Sequence, residues 1–335
     1  MRFVHTADNH LDSPIASIPP QKAQIRRDMR LASFSKIIDY TIKSADALLI
    51  SGDLFDSPNP PRSVVEFVKK EFSRLSDIPV FIALGNHDYL KESFDFPGNV
   101  HIFPESFETV AVKDCLITGA SFASPSGCFS GLIPAPSGNS FSILLLHGDI
   151  FTKSDYNSMD KDYLSSLGYD YIALGHIHEF FEYKNIRYPG CHDGSGFDET
   201  GIKGFIYGDT SSRTYNFIPS SSLVYSKESF DVSPYYSSAE IADALMAAFP
   251  DGIYKFTLTG TPREGFTPNA SAIEGFISQK FFSSSVTDNT NFDTSITTSM
   301  LYKLFSDYVT AHSEGEISSL ALRYGTNAMK GDISI

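Results

Sequence analysis

The sequence contains no tryptophan and only three cysteines, Cys115, Cys128 and Cys191, among its 335 residues. Three scattered thiols are too few for a disulfide framework or a four-thiolate zinc site, and they favour a reducing, cytoplasmic compartment. The aliphatic run at 143–146 ends at His147, far short of the roughly 20 apolar residues that span a bilayer. The first residues also contain no apolar signal-peptide core. We therefore expect a soluble protein that does not insert into a membrane.

Basic side chains are also scarce, since 26 Lys and Arg face 40 Asp and Glu and the net charge is −14. This balance is unlike that of a typical DNA-binding domain, although net charge does not describe a local patch. One local concentration exists, in which Lys22, Arg26 and Arg30 are spaced four residues apart on a predicted helix, with Arg27 beside them. Such a row could bind phosphates or could simply be a solvated helix face.

Apolar residues are plentiful enough for a packed core, at 41% of the chain, and the length suggests two domains. In the first half, short apolar runs alternate with amphipathic segments. This alternation predicts βαβ units in a largely parallel sheet, and shorter runs after residue 99 indicate a second sheet. The principal predicted strands are 3–6, 47–51, 80–84, 141–146 and 171–174, and the predicted helices are 21–44 and 62–76.

A serine-rich stretch at 218–222 predicts a domain boundary, with domains over 1–217 and 226–335. Beyond it, a strand, a helix and a strand are predicted within 226–258. The polar segment 283–299 predicts an exposed loop, and one or two helices follow from Met300 onward. We find no internal repeat and no Walker A glycine loop.

Metal-capable side chains follow each of the five principal strands. Because the carboxyl ends of strands meet at one edge of an α/β sheet, these side chains are expected to converge. Each cluster alone has a plainer interpretation, such as a loop cap or a buried histidine, but their joint occurrence favours a dimetal site. Imidazole, carboxylate and amide ligands suit manganese, iron or zinc. The clusters are Asp8-Asn9-His10, Gly52-Asp53, Gly85-Asn86-His87-Asp88, His147-Gly148-Asp149 and Gly175-His176-Ile177-His178.

This ordered set resembles the calcineurin-like metallophosphoesterase superfamily, roughly over residues 1–209. Within it, the segments 5–14, 52–56 and 189–204 are similar to the DNA-repair exonuclease branch, the SbcD-like nucleases. Protein Ser/Thr phosphatases of the superfamily instead have Arg-Gly after the second motif and Glu at the position of Asp88. The resemblance implies an α/β fold, a four-layer αββα sandwich with a small C-terminal α+β capping domain.

The resemblance also implies two divalent ions, manganese in the working enzyme with iron or zinc as alternatives. Asp53 would bridge the ions, and His87 would be the general acid that protonates the leaving alkoxide. Asp56, Asp88 and Asp149 are expected to support the ligands or to cap loops. The implied ligands of one ion are Asp8, His10, Asp53 and His178, and those of the other are Asp53, Asn86, His147 and His176.

Three functions stay open at this point. The first is a DNA exonuclease or endonuclease of the repair type, and the second is a phosphodiesterase for a small, non-polymeric substrate. The third is a scaffold that keeps the fold without catalysis. If the first holds, DNA is the substrate and a coiled-coil ATPase is an expected partner, because SbcD-like nucleases dock on one through a C-terminal helical segment. The apolar stripe from Leu301 to Val309 is the candidate docking surface, and packing of this stripe on its own domain is the other interpretation.

Overall fold

The computed structural model describes residues 1–89, 95–127, 129, 132–263, 265–291 and 300–329. The chain divides into two compact units, Met1–Tyr225 and Ser226–Ile335. In the described part, no helix is both long and apolar enough to cross a membrane.

The first unit contains two sheets, and the first sheet is built around the N-terminal strand. Four of its strands run parallel, and two later strands add on the other side of the N-terminal strand, each antiparallel to the strand next to it. Among the described residues its order is β12-β11-β1-β2-β3-β4. These strands are β1 (Arg2–Thr6), β2 (Ala47–Ser51), β3 (Val80–Ala83), β4 (Val100–Ile102), β11 (Gly204–Asp209) and β12 (Thr214–Pro219).

The second sheet also has a parallel centre, with an antiparallel strand at each edge. Its order in the described chain is β5-β6-β7-β8-β10-β9. Its strands are β5 (Glu108–Val112), β6 (Cys115–Gly119), β7 (Phe141–His147), β8 (Tyr171–Gly175), β9 (Phe181–Tyr183) and β10 (Ile186–Tyr188).

Apolar side chains on both faces of these strands generate the layers, as expected for strands buried on both sides. Leu49 and Ile143 belong to a core between the two sheets. Helices α1 (Pro20–Ser44) and α2 (Arg62–Arg74) cover the outer face of the first sheet, and Phe34 and Phe72 are buried there with Leu48 and Ile50. Leu164 of α3 (Lys161–Ser166) is buried with Leu144 and Leu146 on the outer face of the second. The predicted αββα sandwich is confirmed.

The second unit is a small α+β unit with its own core. In its described part a three-stranded sheet has the order β13-β14-β15, and its core includes Leu245, Phe256 and Ile273. The elements are β13 (Tyr225–Asp231), α4 (Ser238–Ala248), β14 (Ile253–Thr259), α5 (Ala270–Ile277), β15 (Ser283–Asp288), α6 (Met300–His312) and α7 (Gly315–Met329).

The prediction of an exposed loop over 283–299 is wrong for its first third. Residues 283–288 form β15, which pairs in parallel with β14. Pairing with an apolar neighbour overrides the low strand propensity of the serine-rich sequence. Residues 292–299 of the predicted loop lie outside the described residues.

Candidate metal centre

The loops that follow β1 and β2 hold each other in an unusual backbone conformation. Asp8, His10 and Asp53 have φ values of 49°, 42° and 51°, a region that non-glycine residues rarely adopt. The N–H of Asp8 donates to the carbonyl of Gly52 at 3.1 Å, and that of His10 donates to the carbonyl of Asp53 at 2.9 Å. Strained residues of this kind persist only where the surroundings hold them, and they cluster at functional sites.

Asp53 lies between two groups of ligand-type side chains. Its Oδ2 is 3.3 Å from Nε2 of His147 and 3.7 Å from Nε2 of His10. Its Oδ1 accepts a hydrogen bond from the N–H of His87 at 3.0 Å. Gly85 makes room for this carboxylate, because a Cβ there would lie 2.1 Å from Oδ1. A carboxylate in this position can contact an ion on either side.

The structure brings the seven predicted ligands together at one edge of the two sheets. Ligand atoms of Asp8, His10 and His178 lie within 4.8 Å of one another, as do those of Asp8, Asp53 and His147. Asn86 Oδ1 is 3.0 Å from Nε2 of His147.

His176 belongs to neither of these compact groups but contacts a member of each. Its N–H donates to Asp8 Oδ1 at 2.8 Å, and its ring centroid is 5.3 Å from that of His147.

The arrangement of donors and acceptors requires positive charge at the centre of the cluster. Nδ1–H of His147 donates to the carbonyl of Ser51 at 2.9 Å, so in the neutral imidazole the lone pair of Nε2 would face the acceptors Asn86 Oδ1 and Asp53 Oδ2. Nε2 of the buried His10 has no hydrogen-bond partner. Convergent acceptors and an orphaned imidazole nitrogen fit divalent metal ions.

The pKa values of His147 and Asp53 likewise show that the site favours positive charge. Burial opposes protonation of His147, but the charge and hydrogen bond of Asp53 outweigh it and raise the pKa of His147 to about 9. Burial also disfavours the charged Asp53 carboxylate, yet its interactions with His147 hold its pKa well below the usual value. The carboxylate of Asp53 therefore favours a positive charge on the neighbouring His147.

Glu199 is a functional residue to which the sequence analysis gave no role. Nδ1–H of His178 donates to its carboxylate, which also accepts the N–H of Ser195. Burial opposes both charges, but the pair interaction outweighs it, raising the pKa of His178 to about 9 and lowering that of Glu199 to about 2. A carboxylate on the distal nitrogen fixes the tautomer and orientation of a histidine ligand. The general need for such a partner is predictable, but its position 21 residues away is not.

Both interpretations of the basic row on α1 are wrong for Arg26 and Arg30, which are fully buried. Arg26 forms a bidentate ion pair with Asp193 and also donates to the carbonyl of Gly194. Arg30 donates to the carbonyls of His10 and Ser13 at 2.8 and 2.9 Å. These guanidinium groups therefore position the site loops and are not available to phosphates.

His87 lies beside the ligands and is accessible, with its side chain 44% exposed. Its Nδ1–H donates to the carbonyl of Asp56 at 3.1 Å, and its ring centroid is 4.9 Å from that of His10. It lines a cleft of about 320 Å³ together with His10 and His178. No Lys or Arg lines this cleft among the described residues. Its position suits proton transfer to a group bound at the centre.

The three expected supporting carboxylates all contact site loops. Asp88 accepts the N–H groups of Gly85 and Leu54, and burial together with the charge of Asp53 raises its pKa to about 6. Asp149 accepts the N–H groups of residues 151 and 152. Asp56 Oδ1 is 3.0 Å from Nδ1 of His10.

His5 is a buried histidine between the sheets. Its ring nitrogens contact Tyr171 Oη at 2.9 Å and Ser51 Oγ at 2.7 Å. Burial and the nearby Arg187 lower its pKa to about 3. It is therefore held neutral and reaches the centre only through Ser51.

Comparison with known proteins agrees with this fold and site. Residues 1–180 match the family model of the calcineurin-like phosphoesterases, and the chain belongs to this family. It is therefore by family a metal-dependent phosphoesterase, and the assignment made from the sequence is confirmed.

Individual relatives show where in the family the chain lies. It is 31% identical to the uncharacterized metallophosphoesterase YhaO of Bacillus subtilis over 293 residues, 78% of this chain and 70% of that protein. It is 27% identical to the DNA double-strand break repair protein Mre11 of Methanococcus maripaludis over 200 residues, 53% of this chain and 52% of the relative. The Mre11 of Saccharolobus solfataricus is 29% identical over 193 residues, 53% and 49% of the two chains. The chain spans about half the length of these Mre11 proteins.

Proposed function

We propose that this protein is a dinuclear phosphodiesterase that cleaves DNA, as an exonuclease or endonuclease of the repair type. The observation that carries the proposal is the position of Asp53 between two groups of ligand-type side chains, with the accessible His87 beside them. The similarity to Mre11 proteins supports DNA as the substrate.

In this proposal the chain's own residues hold the metal ions, orient the histidine ligands and protonate the leaving group. Two divalent ions, with manganese as our choice and iron or zinc as alternatives, would supply an activated water and would neutralise the phosphoryl oxygens. The carbonyl of Ser51 and the carboxylate of Glu199 orient two of the imidazoles. Asp8, His10, Asp53 and His178 hold one ion, and Asp53, Asn86, His147 and His176 hold the other.

His87 serves as the general acid. Its Nδ1–H is held by the carbonyl of Asp56, so Nε2 is the nitrogen that delivers a proton to the leaving oxygen. An alkoxide is too basic to depart unaided, which is why the reaction needs this proton.

The test is digestion of end-labelled single- and double-stranded DNA with manganese, with Asp53→Asn as the inactive control. We expect the wild-type protein to shorten or cut at least one of these substrates and the variant to cut neither. A wild-type protein that hydrolyses a generic phosphodiester but leaves all DNA intact would overturn the DNA assignment.

That second outcome would favour a small, non-polymeric phosphodiester as substrate. The charge of the cleft supports this alternative, because Asp56, Asp198 and Glu199 line it and no Lys or Arg does among its described residues. The third possible function is that of a non-catalytic scaffold, and the full set of ligand-type side chains argues against it. Manganese-dependent turnover of a generic phosphodiester separates enzyme from scaffold.

The C-terminal helices supply the proposed contact with a coiled-coil ATPase. Within the predicted stripe, Val309 is buried whereas Leu304 and Tyr308 are more than 60% exposed. Ile317 and Tyr324 of α7 are similarly exposed. The proposed surface therefore includes α7. Truncation before Met300 is expected to abolish ATPase binding and to leave the remaining protein folded. If the truncated protein instead melts at a lower temperature, these helices belong to the protein's own core.

The proposal includes a cytoplasmic location. The free, buried thiols of Cys115 and Cys191 support it, because a reducing compartment keeps thiols unpaired.

A further inference from the structure

An exposed tyrosine, Tyr156, stands beside His176, one of the predicted metal ligands. The ring of Tyr156 is 41% exposed, and its centroid lies 5.3 Å from that of His176 at an interplanar angle of 39°. One part of this ring therefore contacts a ligand, while the remainder faces solvent. A large, half-exposed aromatic ring at a reaction centre is a natural stacking surface.

The position of Tyr156 is fixed by its neighbour Asn157, which is fully buried. The side-chain amide of Asn157 donates to the carbonyl of His147 at 2.9 Å and accepts the N–H of Phe129 at 2.8 Å. Its backbone N–H donates to the carbonyl of Gly127 at 2.7 Å. The loop that carries Tyr156 is thus tied both to a metal ligand and to the neighbouring loop, so the ring is preorganised.

The neighbouring loop borders a cavity of about 520 Å³. Phe122 lines this cavity, and its ring lies edge-on to that of His147 with the centroids 5.9 Å apart. Gly127, which forms a β-bridge with Tyr156, also lines it. The cavity and the tyrosine therefore flank the same half of the centre, the half formed by His147 and His176.

The lining shows what chemistry the cavity would accept. It combines apolar groups with the hydroxyls of Ser106, Ser124 and Ser126, and Glu105 is the one charged side chain among its described residues. Among these described residues a phosphate would find no cation and one carboxylate to repel it. An uncharged planar group with hydrogen-bonding edges fits both the volume and the chemistry.

We propose that Tyr156 and this cavity form a nucleobase subsite, which binds the base of the nucleotide whose phosphate lies at the metal centre. This inference rests on the proposed phosphodiesterase function and adds to it a specificity for nucleotidyl esters over simple ones. Tyr156 stacks on the base, and the serine-rich cavity receives its edge.

Two esters with the same leaving group test the subsite, namely thymidine 5′-(p-nitrophenyl phosphate) and methyl p-nitrophenyl phosphate. Base stacking on an aromatic side chain corresponds to roughly 5- to 150-fold in affinity. We expect Tyr156→Ala to lower kcat/KM for the thymidine ester by a factor in that range, mainly through KM, and to leave the methyl ester within about twofold. Tyr156→Phe, which keeps the ring, should behave as wild type on both.

Two further variants complete the design. Ala123→Trp fills the cavity from an exposed position of its lining and should likewise impair only the thymidine ester. Tyr163→Ala removes a tyrosine of similar exposure, 49%, that lines neither cavity, and should change nothing. Equal losses on both esters in Tyr156→Ala would show that the ring acts through His176, and no loss on either would show that it contacts no base. Both results overturn the subsite.

A binding measurement separates failure of the subsite from failure of the proposed function. Thymidine 5′-monophosphate and methyl phosphate are titrated into wild-type and Tyr156→Ala protein with manganese present. If neither ester is hydrolysed, the phosphodiesterase function fails, while a preference for the nucleotide that Tyr156→Ala removes would still establish the subsite. Equal affinity of the wild-type protein for the two phosphates would overturn it.

Discussion

Replacement of Glu199 by Gln should weaken one of the two proposed metal sites and spare the other. The Glu199 carboxylate accepts Nδ1–H of His178, whereas the corresponding partner of His147 is the backbone carbonyl of Ser51. Loss of the partner of a histidine ligand typically costs 10- to 100-fold in metal affinity, about 1.4–2.7 kcal/mol. Glu199→Gln keeps a neutral acceptor and should fall in the lower half of that range. Glu199→Ala leaves the imidazole without a partner and should fall in the upper half.

Proton release provides an independent readout of the same contact. Without metal, the pKa of His178 is about 9 despite burial, because Glu199 holds the protonated form. At pH 7.5 the imidazole must lose that proton to bind an ion. Loss of the Glu199 charge lowers the pKa of His178, although Asp8 and Asp53 still favour the protonated imidazole, so the variant has less of this proton to release.

The assay is calorimetric titration of metal-free protein with manganese in buffers of different ionisation enthalpy. Glu179→Gln is the matched control, since it removes the exposed carboxylate next to His178 in the sequence, which pairs with Lys203 and not with the imidazole. We expect the control to match wild type, and Glu199→Gln to weaken one site and to release fewer protons than the wild type. Equal weakening of both sites, or unchanged proton release, would refute the assignment of Glu199 as the orienting partner of His178.

Three further substitutions test other parts of the structure. His87→Ala should leave manganese affinity intact and reduce turnover of DNA by about 10²- to 10⁴-fold; full activity would contradict its role as general acid. Arg26→Met should lower the free energy of unfolding in urea by about 3–5 kcal/mol, because Asp193 is left buried and unpaired, and adding Asp193→Leu should recover most of it; an equal loss in the double variant would argue against the ion pair. The folded-state pKa of His5 is lowered to about 3, so its stabilising effect is complete above pH 6.5 and is lost as the pH falls; from pH 7 to 5 the wild type should lose about 2 kcal/mol more than His5→Gln, and parallel curves would refute this.

Much of the fold could be predicted because its signals are local. The run 47–51 is buried on both faces in the structure and was predicted with the same bounds from its apolar composition alone. The convergence of the metal-capable residues followed from the rule that strands of a parallel sheet end at one edge. A short apolar strand followed by Gly-Asp or Gly-Asn-His indicates both the strand and the candidate ligands within ten residues.

Interactions between distant parts of the chain could not be predicted in this way. Arg26 and Asp193 are 167 positions apart, and a basic row with helical spacing gives no sign that one member will be buried against a carboxylate. Glu199 stands in a glycine-rich segment whose pattern predicts a turn. In β15, pairing with β14 decides the conformation of a serine-rich sequence. In each case a residue or strand far away in the sequence determines the local structure, and local sequence patterns do not identify such distant partners.

The position of β1 within its sheet has a consequence for the order of events during synthesis. Residues 3–6 pair with β2 on one side of β1, and residues 2–5 pair with residues 206–209 on the other. The ribosome needs roughly 10–40 s to add the intervening 200 residues. During that interval β1, which leads into the loop of Asp8 and His10, has an unpaired edge of the kind that mispairs with other chains. Although β1 is made about 200 residues before β11, it is therefore enclosed only when β11 arrives, and until then the nascent chain is exposed to misassembly at this edge.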